Sequence, residues 1–337
     1  MPILYLHVGH SKTGTSWMQA ALRENAAALA EGGLAYPIFD GVGNEQGAEI
    51  GQGNGLWLAT SPVGELDLRL RMIFGAAGPR GAVLSSEEFF PRLTGPDGPA
   101  ALPQAALVAG FDRIEILLFI RNPVGHAASL WQQYVKNSGG TGPIEVFFDK
   151  YAVPDRVAGF LDRFLSMDGV GLTCLNYDRH RRDLLAPLCA WLGTPAISLA
   201  PPCARTINRG MTRAELALHV ALNRRIGRAG RVLSEALCVG LPDMPPDPVY
   251  PDPDCQRAMC ARLALTLERV NACLPEAERY RPDIALAPRN ADRAALSFSP
   301  EQIDLIGASL GGEIRRLRLA LAASGQGAGA FHPGGGP

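Results

Sequence analysis

Twenty consecutive residues near the amino end, ILYLHVGHSKTGTSWMQAAL from Ile3 to Leu22, constrain the fold more than any other stretch. Ile3–Val8 is an apolar run of the length that suits one strand buried on both faces. After a polar loop, Met18, Ala21, Leu22, Asn25 and Leu29 recur at helical spacing, and Gly32-Gly33 supply a stop. One helix is therefore expected between the loop and Gly32. Strand, glycine-containing loop and helix in that order make an anion site. The first amides of a helix lack partners, and its dipole is positive there. Gly9 and Gly14 have the spacing of the Walker A pattern G-x-x-x-x-G-K-[ST], and Ser16 fits its last position. The lysine departs from it: Thr15 follows Gly14, and Lys12 stands two residues before that glycine.

The same alternation continues along the chain. Gly81–Ser85 reads as a strand and is followed by Ser86-Glu87-Glu88. Ile114–Ile120 is the strongest strand pattern and runs into Arg121-Asn122-Pro123. Asn122 reads as an N-cap and Pro123 as the first residue of a helix reaching about Asn137. Leu172–Asn176 fits another strand, and a helix ends at Gly193. Strands alternating with helices predict an α/β fold, a parallel sheet flanked by helices. Beyond Pro201 the pattern is helical. Thr212 and Glu215 form a capping box opening a helix to about Ile226, and further helices fit 256–272 and Ser299 to about Ala322. Residues 40–55 and the proline-rich 242–254 read as loops, and the tail from 323 as disordered. The expectation is one domain over 1–322, with an α/β core to 200 and a mainly helical extension from 201.

Composition limits the partners. With 337 residues, 47% of them hydrophobic, and a formal net charge of −1, nothing favours nucleic acid or an anionic membrane. No apolar stretch is long enough to cross a bilayer. The start lacks the basic region and cleavage site of a signal peptide, and seven scattered cysteines without a CxxC pair suit reduced thiols rather than disulfides or zinc. A cytoplasmic protein without a metal is expected.

In a parallel sheet the carboxyl ends of the strands share one edge, where ligands bind. Three such ends carry chemistry. The first offers Lys12 and the hydroxyls of Thr13, Thr15 and Ser16. The second offers Glu87 and Glu88 as candidate general bases. The third offers Arg121, a bidentate phosphate ligand, with Ser129 two turns into the following helix. Together they suggest an anionic nucleotide with phosphates at two places and an acceptor that loses a proton.

These residues resemble a family. Lys12-Thr13-Gly14-Thr15-Ser16-Trp17 is similar to the 5′-phosphosulfate loop of sulfotransferases that use 3′-phosphoadenosine-5′-phosphosulfate (PAPS). Arg121-Asn122-Pro123 with Ser129 and Trp131 resembles their 3′-phosphate motif, and the whole of residues 3–193 resembles the bacterial type. The resemblance implies the P-loop-like sulfotransferase fold, PAPS as co-substrate released as PAP, and no metal. It implies that Lys12–Ser16 hold the 5′-phosphosulfate, that Lys12 stabilises the leaving oxygen, and that Trp17 stacks on adenine. Arg121 and Ser129 would take the 3′-phosphate, with Arg209 and Gly210 of the INRG segment adding to it. Family members use a histidine or a glutamate as base near the end of the second strand; here that place holds Glu87, with Glu88, His10 and His126 as alternatives. The acceptor, a hydroxyl or amine of a carbohydrate, lipid or small molecule, is not named by any residue. A kinase-like phosphotransferase would need a lysine after Gly14 and magnesium ligands, and a non-catalytic PAPS-binding module would not need the carboxylates. Trp17 also suits a core position, Trp131 and Tyr134 the core or the wall of an acceptor pocket, His7 a buried strand histidine, and Arg179, Arg181 and Arg182 a solvated face.

Overall fold

The computed structural model describes residues 2–39, 53–95, 101–194, 199–203, 209–285 and 296–325. Five strands form one all-parallel sheet: β1 Ile3–Val8, β2 Leu34–Ala35, β3 Gly81–Ser86, β4 Arg113–Ile120 and β5 Val170–Asn176. Their order across the sheet is β2-β3-β1-β4-β5. The apolar run Ile3–Val8 takes the centre because it is buried on both faces. Leu4, Leu6 and Val8 are wholly inaccessible to solvent, and each such side chain contributes about 1.5–3 kcal/mol of burial free energy. Tyr5 on the opposite face joins Met18, Leu22, Val83, Leu117, Phe119 and Leu188 in one core cluster. His7, in register with Ser85, is buried and bonds the Ser85 hydroxyl through Nδ1 at 2.8 Å, while its Nε2 has no partner among the described residues.

The chain leaves β1 toward β2 on one side and leaves β4 toward β5 on the other. The two connections part between neighbouring strands, which opens a crevice at the carboxyl ends of β1 and β4. The strands match the expected segments within two residues. The short β2 has no sequence counterpart, since two residues carry no periodicity.

The expected single helix after the loop is two: α1 Thr15–Glu24 and α2 Ala26–Glu31. The break falls at Asn25, whose side-chain amide donates to the carbonyls of Ala21 and Ala200, each at 2.8 Å, and accepts from the Ala200 N–H. Asn25 serves a distant loop, so the helix yields there. Between β2 and β3 lie α3 Leu56–Ala59 and α4 Leu66–Gly75. Of the expected loop 40–55, residues 40–52 lie outside the described residues. Asn54 is bonded along the free edge of β3, donating to the Val83 carbonyl at 2.9 Å and accepting the Ser85 N–H at 2.9 Å. Then come α5 Phe89–Thr94, α6 Ala101–Ala109, α7 Pro123–Ser138, α8 Ile144–Lys150, α9 Val153–Phe164, α10 Tyr177–His180 and α11 Leu185–Leu192. Pro123 opens α7 as expected, but Asn122 does not cap it. The Asn122 Oδ1 accepts instead from the Asn176 amide and the Arg281 N–H.

The rest is helical, as expected: α12 Arg213–Ile226, α13 Arg231–Gly240, α14 Pro253–Ala272 and α15 Pro300–Gly325. The last helix runs to Gly325, and the remaining tail lies outside the described residues. The chain divides into two compact units, and the division differs from the one read at residue 200. The first unit is Met1–Trp131, Pro143–Ile207 and Tyr250–Ala287; the second is Gln132–Gly142, Asn208–Val249 and Pro288–Pro337. Residues 250–287 return to the first unit because α14 buries Met259, Leu263, Leu267 and Val270 and packs on α8 and α9.

In the second unit, Thr212 and Glu215 form the expected capping box on α12. Glu215 also takes the guanidinium of Arg209 bidentately, at 2.7 and 2.8 Å, and the Gln302 amide at 2.8 Å. Burial alone raises the Glu215 carboxyl, and the bonds from Arg209, Thr212 and Gln302 outweigh it and hold the pKa below the ordinary value. Both side chains are essentially inaccessible to solvent. Removing one partner leaves the other charged and unpaired. Glu215→Ala is expected to cost about 3–5 kcal/mol in urea unfolding, whereas replacing both partners by apolar residues of similar volume costs less.

Candidate functional site

The site is built from the ends of β1, β3 and β4. Gly9 follows β1 and donates its N–H to the Ser86 carbonyl at 2.9 Å. A Cβ there would stand 2.8 Å from the Glu87 Cα and from the Thr15 methyl, so only glycine allows this approach. The Thr13 hydroxyl bonds back to the His10 carbonyl. Lys12, with φ of 66°, is the sole described non-glycine residue at positive φ, and Gly14 follows at 81°. These two left-handed residues turn the chain into α1. An added Cβ on Gly14 would lie 2.9 Å from Tyr177 and 2.7 Å from Leu184. No side chain caps α1, and its first turn holds no acid. The amides of Thr15, Ser16 and Trp17 have no acceptor among the described residues, and they head a ten-residue helix dipole.

The loop rests on a buried polar support. His126 on α7 donates from Nε2 to the Ser11 carbonyl at 2.8 Å. A carbonyl only accepts, so in the neutral ring Nδ1 is the unprotonated nitrogen, and it accepts a hydrogen bond from the Tyr151 hydroxyl at 2.7 Å. The His10 ring packs 4.4 Å from that of His126 and 4.9 Å from Phe90. Burial is the largest cause holding both imidazoles neutral, pushing His10 down to about 3 and His126 well below its usual value. His126 has both nitrogens engaged, and His10 is 2% exposed. As arranged here, neither presents a free nitrogen to solvent.

Glu87 is half-buried at the end of β3, and Glu88 beside it is exposed. The Ser11 hydroxyl donates to Glu87 at 3.4 Å. Burial raises the Glu87 carboxyl, an effect opposed by the charge of Lys12 and by bonds from Ser11 and Thr15. Lys12 and Glu87 are thus electrostatic neighbours. Arg121, at the end of β4, donates to the Lys12 carbonyl at 3.1 Å, and its Nε stands 3.5 Å from Asp178. Its guanidinium lies over the Tyr177 ring at 5.5 Å and within 3.7 Å of where a Gly125 Cβ would be. Ser129 is one helical turn beyond Gly125, on the same face.

Trp17 packs partly against the core and also lines a cleft of about 310 Å³ with Gly14, Tyr177, Arg181, Arg182 and Asp183. Arg181 and Arg182, read as a solvated face, stand at that cleft. Trp131 is buried. Lys12, Thr13, Gly14, Thr15, Ser16, Trp17, Glu87 and Arg121 gather at one sheet edge. Arg209 requires correction. Every guanidinium donor of Arg209 is spent on Glu215 and on the carbonyls of Gly210, Leu237 and Leu241. Arg209 therefore has no donor left for a phosphate.

Sequence reasoning missed Ser11, Tyr151, Tyr177 and Asp178. Tyr177 and Asp178 follow directly after β5, so the strand-end rule that found Arg121 would also have found them. Among the described residues no three of His, Cys, Asp and Glu cluster as metal ligands, all seven cysteines are free, and no helix is long and apolar enough to cross a membrane. No protein-family model, curated protein or solved structure matches the chain.

The raised Glu87 pKa has a consequence for stability. The folded state favours the protonated acid, so stability is lost as pH rises from the ordinary carboxylate range through the raised value. Glu87→Gln is expected to unfold at a higher temperature than the parent at pH 7 to 8, with the difference vanishing near pH 4. Calorimetric scans across that range check this, and a variant less stable at pH 7 would contradict it.

Proposed function

We propose that the chain is a PAPS-dependent sulfotransferase, moving a sulfuryl group to a hydroxyl or amine of a carbohydrate, lipid or small-molecule acceptor. The observation that carries the reading is the uncapped start of α1 with Lys12 in front of it and Arg121 beside it. Unpartnered amides with a lysine suit a dianionic group, the arginine beside them suits a second phosphate, and a lysine ahead of the loop suits charge that develops on the oxygen linking phosphorus to sulfur. The 5′-phosphosulfate would lie on the amides of Thr15, Ser16 and Trp17. Arg121 and Ser129 would take the 3′-phosphate, and the cleft beside Trp17 and Tyr177 would take the base. The Arg209 side chain is left out of this reading.

Glu87 takes the acceptor's proton. The acceptor oxygen or nitrogen bonds to sulfur in line, while the bond from sulfur to the bridging oxygen breaks and its electron pair stays on the phosphate. Lys12 stabilises that charge, and the products are the sulfated acceptor and PAP. The raised Glu87 pKa suits a base, whose proton affinity must be sufficient to draw off a hydroxyl proton. Positioning and electrostatics do the rest, as in phosphoryl transfer.

Incubation with labelled PAPS and a panel of cell-extract acceptors, read by mass spectrometry as a gain of SO₃, tests the reading. Transfer is expected without added nucleoside triphosphate. Glu87→Gln should lower turnover by about 10²-fold or more and remove the acidic limb of the pH–rate profile. Magnesium-dependent turnover of ATP, or tight PAPS binding without transfer to any acceptor, would contradict it.

A further inference from the structure

The second unit ends in α15, whose first turns are held and whose remainder is not. Gln302 is buried and bonded to Glu215, and Leu305 packs where a Cβ on Gly240 would stand. From Ile314 to Ala323 every residue is exposed. Along one face Ile303, Leu310, Ile314 and Leu317 are 57%, 38%, 52% and 48% exposed. Their spacing of seven, four and three residues, completed by Gly307, is that of a coiled-coil seam. Gly307, Gly311 and Gly312 have nothing within 4 Å of an added Cβ. Three glycines weaken a helix whose later turns are exposed.

The charges along the helix are ordered end to end. Glu301 and Asp304 lie in its first turns, and Arg315, Arg316 and Arg318 near its other end. Arg316 is taken up by Glu313 within the helix, while Asp304 and Arg318 make no ion pair among the described residues. Such a helix complements its own reverse. We propose that α15 pairs antiparallel with α15 of a second copy of this chain, crossing at Gly311 and Gly312. Leu310 then meets Ile314 of the second copy, and Leu317 fits over its Gly307. Asp304 lies opposite its Arg318, seven residues on either side of Gly311. The two-fold relation repeats each contact, which makes the interface closed and isologous. A membrane surface is the less fitting occupant. Three acids balance three arginines, and α15 carries no aromatic anchor.

Sedimentation equilibrium of the full chain at micromolar concentration tests the pairing. A dimer is expected, and Ile314→Glu should raise its dissociation constant by about thirtyfold or more, with the circular dichroism of the monomer unchanged. Asp304→Arg should weaken the dimer several-fold, and adding Arg318→Asp to it should restore the association. A monomeric parent, a dimer indifferent to Ile314→Glu, or charge reversal without rescue would overturn the proposal. So would a parent that is monomeric in solution and sediments with anionic phospholipid vesicles. None of these outcomes bears on sulfuryl transfer, so the two readings stand or fall separately.

Discussion

The uncapped amino end of α1 is the constraint on which the rest of the site depends. A helix start that buries its amides without acceptors is costly, so this one must stay open toward solvent or a ligand. The surroundings keep it open. Lys12 and Gly14 turn the chain with positive φ, Gly9 lets Glu87 approach closely, and His126 with Tyr151 holds the Ser11 carbonyl from below. Arg121 ties the β4 end to the same loop through the Lys12 carbonyl. These supports come from the ends of β1, β3 and β4 and from α7 and the turn after α8, and the parallel sheet is what brings the strand ends to one edge.

Lys12 has two neighbours that explain its place. Glu87 on one side opposes its charge, and Arg121 on the other holds its backbone. A lysine directly after Gly14 would sit on α1 itself, behind the first free amides. A lysine two residues before Gly14 sits on the strained turn in front of them. That difference, rather than the glycine spacing, separates this loop from a Walker A loop. It motivates a reading in which the lysine follows charge onto a leaving oxygen.

Much of this was legible in the sequence. The four longer strands were readable because their apolar runs end in glycine or polar residues, and the loop because it joins a strand to a helix. Three things were not readable. The break at Asn25 depends on Ala200, far away in the chain, and a helical pattern cannot register a competing tertiary hydrogen bond. Arg209 followed by glycine looked like a phosphate ligand, yet the capping box that was read correctly at Thr212 and Glu215 supplies the carboxylate that takes it. The return of α14 to the first unit depends on packing against α8 and α9, which local periodicity does not encode. The histidines were visible as candidates, and burial decided that they support the loop instead of facing solvent.

The central claim is that Arg121 and the start of α1 bind two separate phosphates of one nucleotide. Titration calorimetry with PAP and with adenosine 5′-phosphate, which lacks the 3′-phosphate, tests it most directly. The account predicts tighter binding of PAP, by an amount that shrinks greatly in Arg121→Ala, while adenosine 5′-phosphate binding changes little. Equal affinity for the two nucleotides, or a preference for PAP that survives Arg121→Ala, would contradict it.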